Sequence, residues 1–228
     1  MANYPQLDDT VGVWKLKDVN DAVMGGYWRL ADPRGGRAIT QGGGSPNATA
    51  SMDFVNIASA GDAAVFGDLS AANSSSTSFS SFTRGVFNGG ANPGNSDKQE
   101  YLTIATLGNA ADFGNLTDAV NLPGGCSNTT RGILSKGAGQ PVDYITIDTT
   151  SNASNFGNLI DPAGQMVAMA SAVTPDRGCR CGGQSPSVTN AIEYITFAST
   201  SNFTDFGNMV QASAARAGTS GDHGGLSS

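Results

Sequence analysis

One phrase, repeated at a fixed interval, constrains this chain more than any other feature. Arginines at Arg37, Arg84, Arg131 and Arg177 stand 47, 47 and 46 residues apart, and the second and third open the near-copies "RGVFNGG" and "RGILSKG". Four longer segments align behind them: "FVNIASAGDAAVFGDLS" from Phe54, "YLTIATLGNAADFGNLT" from Tyr101, "YITIDTTSNASNFGNLI" from Tyr144 and "YITFASTSNFTDFGNMV" from Tyr194. Each begins on an aromatic, alternates aliphatic residues with Thr or Asn, passes a polar turn and closes on Phe-Gly-Asn/Asp-Leu/Met, with Phe66, Phe113, Phe156 and Phe206 at the closing position. Self-similarity at such a period marks an array of one small unit that buries its faces against copies of itself.

The unit reads as β-structure. Val86 and Phe87 lie in a short apolar run ended by Gly89-Gly90, and Leu102 and Ile104 alternate with Tyr101, Thr103 and Ala105, the period of a strand. Phe113 and Leu116 mark a third strand, and a fourth is expected in the Ser/Thr-rich stretch leading back to the next arginine. Three or four antiparallel strands in 46 to 47 residues fit a propeller blade better than a β-solenoid coil, whose repeat is about 20–30 residues. The second face of these strands carries Thr, Ala and Tyr rather than Lys and Glu, as expected if both faces are covered by neighbours. The expected fold is therefore all-β, a propeller of about four blades over 31–228, with repeats at 37–83, 84–130, 131–176 and 177–228.

Composition agrees. Only 14% of the 228 residues are charged, against roughly 25% in ordinary globular domains, and the 31 glycines are about twice the usual share. A net charge of −7 and a pI near 4.4 argue against a nucleic-acid surface, which needs clustered Lys and Arg. No apolar run approaches the ~18 residues of a membrane span, and "MANYPQLDDT" lacks a basic-then-apolar secretory pattern. Neither nucleic acid nor membrane insertion is expected.

Arg-x-aliphatic-aromatic-x-Gly-Gly, an aromatic-led strand and a second aromatic about a dozen residues on resembles the kelch blade, with Phe66, Phe113, Phe156 and Phe206 standing where kelch has Trp. The resemblance covers roughly 37–212 and departs from the pattern at Lys136-Gly137, where a glycine pair is expected. The wording of the repeats, "TRGVFNGG" and "YLTIAT" among them, is also similar to repeat-bearing structural proteins of tailed, marine-type bacteriophages. The segment "GVWKLKDVNDAVMGGYWR" at 12–29 looks like a recurring element of such virion proteins. This resemblance implies a non-enzymatic component of the virion, in a tail appendage or fibre or decorating the capsid. It also implies attachment to other virion proteins through residues 1–30 and a homo-oligomer in the assembled particle. An adhesin reading stands beside it, in which loops such as "GGANPGNSDKQE" bind a host-surface glycan.

Within 1–30, Trp14, Leu16, Val19, Ala22 and Val23 fall along one side of a short amphipathic helix that Gly25-Gly26 would stop. That helix, with Trp28, either covers the protein's own propeller or docks on another virion subunit. The chain's tail, "AARAGTSGDHGGLSS", resembles a shortened fifth repeat phrase. It either fastens beside the strand at 37–43 or leaves strands to be shared between copies.

The repeated arginines are read as structural ties, each planar fork satisfying carbonyls of an adjoining turn. The Asn-rich loops before the third strand are read as Asx turns rather than calcium sites. Cys126, Cys179, Cys181 and the single His223 do not make a zinc pattern, and the three thiols are read as free. Asp112-Phe113-Gly114 and Asp205-Phe206-Gly207 spell the kinase magnesium motif but are copies of the repeat, without the partner motifs. A copper oxidase site needs two imidazoles, and a glycosidase needs paired carboxyls about 5–10 Å apart. The sequence offers neither, so no enzyme, cofactor or metal is expected.

Overall fold

The computed structural model describes residues 36–218 apart from 45, 58, 92, 139–140, 165–166, 173–175 and 185. The proposed N-terminal helix, with Trp14, Val19, Val23 and Trp28, lies outside the described residues, as does the end of the tail. The described residues contain no helix and are all-β.

Among the described residues seventeen strands run in chain order: β1 Arg37–Gln41, β2 Thr49–Asn56, β3 Ala64–Asn73, β4 Thr77–Ser80, β5 Arg84–Asn88, β6 Ser96–Thr103, β7 Ala111–Val120, β8 Gly124–Ser127, β9 Arg131–Ser135, β10 Gly137–Ala138, β11 Pro141–Thr146, β12 Ser154–Asn158, β13 Ala163–Gly164, β14 Ala168–Ala172, β15 Arg177–Cys181, β16 Ala191–Thr196 and β17 Thr204–Asn208. They form four antiparallel sheets: β1-β2-β3, β4-β5-β6-β7, β8-β9-β11-β12 and β14-β15-β16-β17, plus a two-stranded β10-β13 ladder. We call the four main sheets the first to the fourth.

The repeats and the sheets are out of phase by one strand. The strand expected to close each repeat pairs instead with the arginine strand that follows: β4 with β5, β8 with β9 and β14 with β15. The cause is a crossing turn behind the third strand. Ser75 (φ 57°) and Leu122 (φ 51°) occupy the left-handed region at equivalent positions, and Leu122 N–H donates back to the Ser75 carbonyl. The turn carries the chain off its own sheet to the free edge of the next. The expected loop "GGANPGNSDKQE" is correspondingly shorter, because Ser96–Glu100 belong to β6, with Gln99 and Glu100 buried.

A β-bulge recurs at one place in every sheet: the register shifts between Met52 and Asp53, Gln99 and Glu100, Val142 and Asp143, and Ile192 and Glu193. Opposite it the ladder passes over Phe66, Phe113, Phe156 and Phe206 in turn. The recurring Phe-Gly pair is thus the bulge, and the local kink it makes turns the phenylalanine toward the following sheet.

Three apolar clusters lie between successive sheets. Met52, Phe66, Leu69, Phe87, Leu102 and Ile104 fill the first space. Val86, Phe113, Leu116, Leu134, Ile145 and Ile147 are among those in the second, and Ile133, Phe156, Leu159, Ile195, Phe197 and Phe203 in the third. The second and third sheets are therefore covered on both faces, which is why their strands spend so few charges. The departure at Lys136-Gly137 leaves the third sheet with its four strands; Gly137–Ala138 pairs with Ala163–Gly164 instead.

Candidate functional site

Among the described residues the most distinctive arrangement is the joint between successive sheets, built three times from the same parts. Within each sheet the arginine guanidinium lies over the repeat's leading aromatic ring: Arg37 over Phe54 (4.9 Å), Arg84 over Tyr101 (4.2 Å), Arg131 over Tyr144 (4.8 Å) and Arg177 over Tyr194 (4.4 Å). That ring meets the bulge phenylalanine edge-on at 5.8–6.0 Å centroid distance in all four sheets. Stacked so, the fork reaches forward: Arg37 Nη1 donates to the Ile104 carbonyl (2.8 Å), Arg84 Nη1 to that of Ile147 (3.2 Å) and Arg131 Nη1 to that of Phe197 (2.5 Å). A planar donor held by its own aromatic loses little freedom in making that bond.

The second part runs backward. The acid just after each bulge accepts main-chain N–H groups of the preceding sheet: Glu100 from Ser70 (2.9 Å), Asp143 from Thr117 (2.9 Å), and Glu193 from Ile160 (3.1 Å) and Asp161 (2.7 Å). All three are buried, and a buried carboxylate needs such donors. The three acids sit on strands, and the recurring acid before each leading aromatic was the available signal.

The Asn-rich loops form the third part. Asn109, Asn152 and Asn202 each accept with Oδ1 the main-chain N–H of the preceding sheet's Asp68, Asn115 and Asn158, at 3.0 Å in every case. The N–H groups of Ala110, Ala153 and Phe203 donate to the carbonyls of those same three residues (2.8–2.9 Å). These asparagines act as staples between sheets and not as local Asx turns, because the outer edge of the preceding sheet's last strand lies within reach and offers unpaired groups.

Two joints also hold a cation. Lys136 Nζ lies 3.1 Å from Asp143 and 2.8 Å from Asp118. Arg180, fully buried, lies 3.4 Å from Glu193 and 4.0 Å from Asp161 and donates to the Ala163 carbonyl at 2.6 Å. Burial pushes the Arg180 pKa down, and the two carboxylates counter it. Burial opposes ionisation of Asp161, but Thr189 Oγ1, the Ala163 N–H and Arg180 outweigh it and hold its carboxyl below the usual range. A lowered carboxylate contributes stability that is present above its unfolded value near ~3.9 and lost as pH falls through its folded value. Asp161→Asn should therefore be less stable than the parent at pH 6, with the gap starting to close only as pH falls below about 4 and closing once pH is below the folded value, in urea titrations that extend to that acid range.

The first strands line a groove of about 310 Å³ to which all four sheets contribute, among them Arg37, Ser80, Cys126, Ser127 and Ser171. Ser127 Oγ donates to the Ser80 carbonyl (3.4 Å) and Ser171 Oγ to the Ser127 carbonyl (2.6 Å), a serine rung from each strand to the one before. Cys126 is buried, and burial first, then Cys179, pushes its thiol up to about 12. It should resist a thiol reagent at pH 8 in the folded protein and react fully in denaturant, a contrast read by mass spectrometry. Burial likewise raises Cys179 and Cys181. Among the described residues no three His, Cys, Asp or Glu side chains converge to hold a metal ion, and no helix is long and apolar enough to cross a membrane.

The predicted repeat residues thus divide by place. Phe66, Phe113 and Phe156 are 3%, 2% and 2% exposed, whereas Phe206 is 57% exposed. Arg177 keeps its ring, Tyr194, but among the described residues donates to no carbonyl. No protein-family model matches the chain, and no curated protein matches it.

Proposed function

We propose that the protein is a non-enzymatic structural component of a tailed-bacteriophage virion, in a tail appendage or fibre or decorating the capsid, whose sheets are the blades of a kelch-like β-propeller. The observation that supports this most is where the charge goes. Glu100, Asp143, Glu193, Arg37, Arg84, Arg131 and Arg180 are all committed to bonds between or within sheets, which leaves a chain built to hold shape. Radial arrangement is supported by β4, β8 and β14, which lie side by side along a groove that Arg37 and Ile39 of β1 also line, while the outer strands carry the staples. The virion reading rests on the wording of the repeats and of 12–29, with that segment as the attachment to other virion proteins.

A second reading, a module that binds a host-surface glycan, draws on the hydroxyl-lined groove and on the exposed turn around Gly94 and Asn95 between β5 and β6. Immunogold labelling of purified virions tests the first reading: regular decoration of the particle is expected, and its absence from purified particles would remove that reading. Binding on a glycan array would raise the second.

A further inference from the structure

Among the described residues three joints join four sheets, and each end of that stack presents half a joint. On the forward side of the fourth sheet, Phe206 is 57% and Val210 108% exposed, while Met209 is only half-buried where Leu69, Leu116 and Leu159 are buried. Arg177 is stacked on Tyr194 in the posture from which the other three arginines reach forward. A Cβ built on Gly207 meets nothing within 4 Å, whereas at Gly114 it meets the Ser151 carbonyl at 2.5 Å and at Gly157 that of Ser201 at 2.1 Å. Among the described residues nothing fills here the space that the next sheet's turn fills at the inner joints.

The backward side of the first sheet carries the matching halves. Ile57, whose counterparts Ile104, Ile147 and Phe197 supply the carbonyls that accept from arginine, is 70% exposed. Asp53, half-buried, stands at the position of Glu100, Asp143 and Glu193. Asp62 and Ala63, both exposed, stand at the positions of the staple residues Asn109 and Ala110. Asp62 puts a carboxylate where the staple needs an acceptor, so the sequence keeps the function while changing the residue.

The chain beyond the fourth sheet also behaves as if a fifth followed. Ala215 (φ 56°) repeats the left-handed crossing turn of Ser75 and Leu122. The chain then brings Gly218 against the main chain of Met169 in β14, where a Cβ would lie 2.9 Å from the Met169 carbonyl.

From these observations we infer that two copies of this chain associate head to tail, the forward face of one copy's fourth sheet forming a fourth joint with the backward face of the next copy's first sheet. In that joint Arg177 donates to the Ile57 carbonyl, Asp53 accepts the Val210 N–H, and Asp62 accepts the Asn208 N–H, while Phe206 and Ile57 close the apolar space. The contact is heterologous, so it ends in a closed ring or continues as a filament. It rests on the repeat geometry alone and holds wherever the protein works.

Crosslinking decides it. Asp62→Cys and Asn208→Cys are placed separately on two preparations of the full chain, both at exposed turn or strand-end positions that leave the core untouched. Mixed and mildly oxidised, the two should give a reducible dimer that neither gives alone. Sedimentation of the unmodified protein should show association, weakened about tenfold or more by Phe206→Asp or Ile57→Asp with the far-UV circular dichroism unchanged. If the mixture gives no crosslink, the inference fails, and it fails also if the double variant Asp62→Cys/Asn208→Cys gives only a monomer closed on itself. The first result would leave the ends uncovered, and the second would show one chain completing its own ring.

Discussion

Glu193→Ala should destabilise the protein by about 3–5 kcal/mol, the range for removing one partner of a buried ion pair. The side chain is 2% exposed. It accepts two main-chain N–H groups from the bend that follows the third sheet's last strand and faces the guanidinium of Arg180. Its loss removes the acceptor of both N–H groups and leaves the fully buried Arg180 with the Ala163 carbonyl and the more distant Asp161. Arg180→Leu should cost much less, about 1–2 kcal/mol. Leu134 and Phe87 occupy the equivalent positions in the third and second sheets, so the space accepts an apolar side chain, and Glu193 would keep both N–H partners. The chief loss in that variant is the donor to the Ala163 carbonyl. Urea denaturation of the two variants against the parent makes the comparison. A larger loss for Arg180→Leu than for Glu193→Ala would show that the cation, not the acid-to-backbone lock, secures the joint.

Gly114→Ala should cost at least about 2 kcal/mol, from strain and overpacking together. Gly114 sits at φ +143° beside the bulge, and its missing side chain leaves room for the turn of the third sheet: an added Cβ would lie 2.5 Å from the Ser151 carbonyl oxygen and 2.9 Å from the Asn152 nitrogen. Both are main-chain atoms, and Asn152 is a staple to Asn115, so the turn cannot give way without releasing it. Gly207 has a similar φ of +139° with nothing within 4 Å. Gly207→Ala, measured at a concentration where the protein is monomeric, therefore carries the strain without the clash and should cost about 1 kcal/mol. The difference between the two thermal unfolding curves isolates the close approach of the sheets. Equal losses would mean that the conformation alone makes glycine necessary.

These predictions concern residues that sequence reading treated unevenly. Phe113-Gly114 was legible as a repeat position, and its kinase-like spelling could be set aside because Phe66-Gly67, Phe156-Gly157 and Phe206-Gly207 recur at the same place. That the pair is a β-bulge was not legible, since a bulge is a property of two strands in register. Arg37, Arg84 and Arg131 could be given a task from the planar fork of arginine and from their recurrence. The carbonyls they reach lie 63 to 67 residues away, beyond anything local spacing encodes. Glu100, Asp143 and Glu193 were overlooked because an acid beside an apolar strand looks solvent-facing until the neighbouring sheet covers it. The strand phase was misjudged for a related reason: "NLPGGCSNTT" shows that a strand follows Leu122 but not which of two free edges it will join.

The amino-acid order alone determined the repeat, its all-β character, and the need for each sheet to be covered on both faces, because alternation and low charge are local properties that every copy states again. Tertiary structure decided the rest. It placed the strand before each arginine in the following sheet, turned four interchangeable acids into three buried locks and one half-buried remainder, and left Phe206 in the open while its three equivalents are sealed. The physical reason is that equal residues acquire unequal environments only from what packs against them, and among the described residues each end of the stack has one neighbouring sheet fewer.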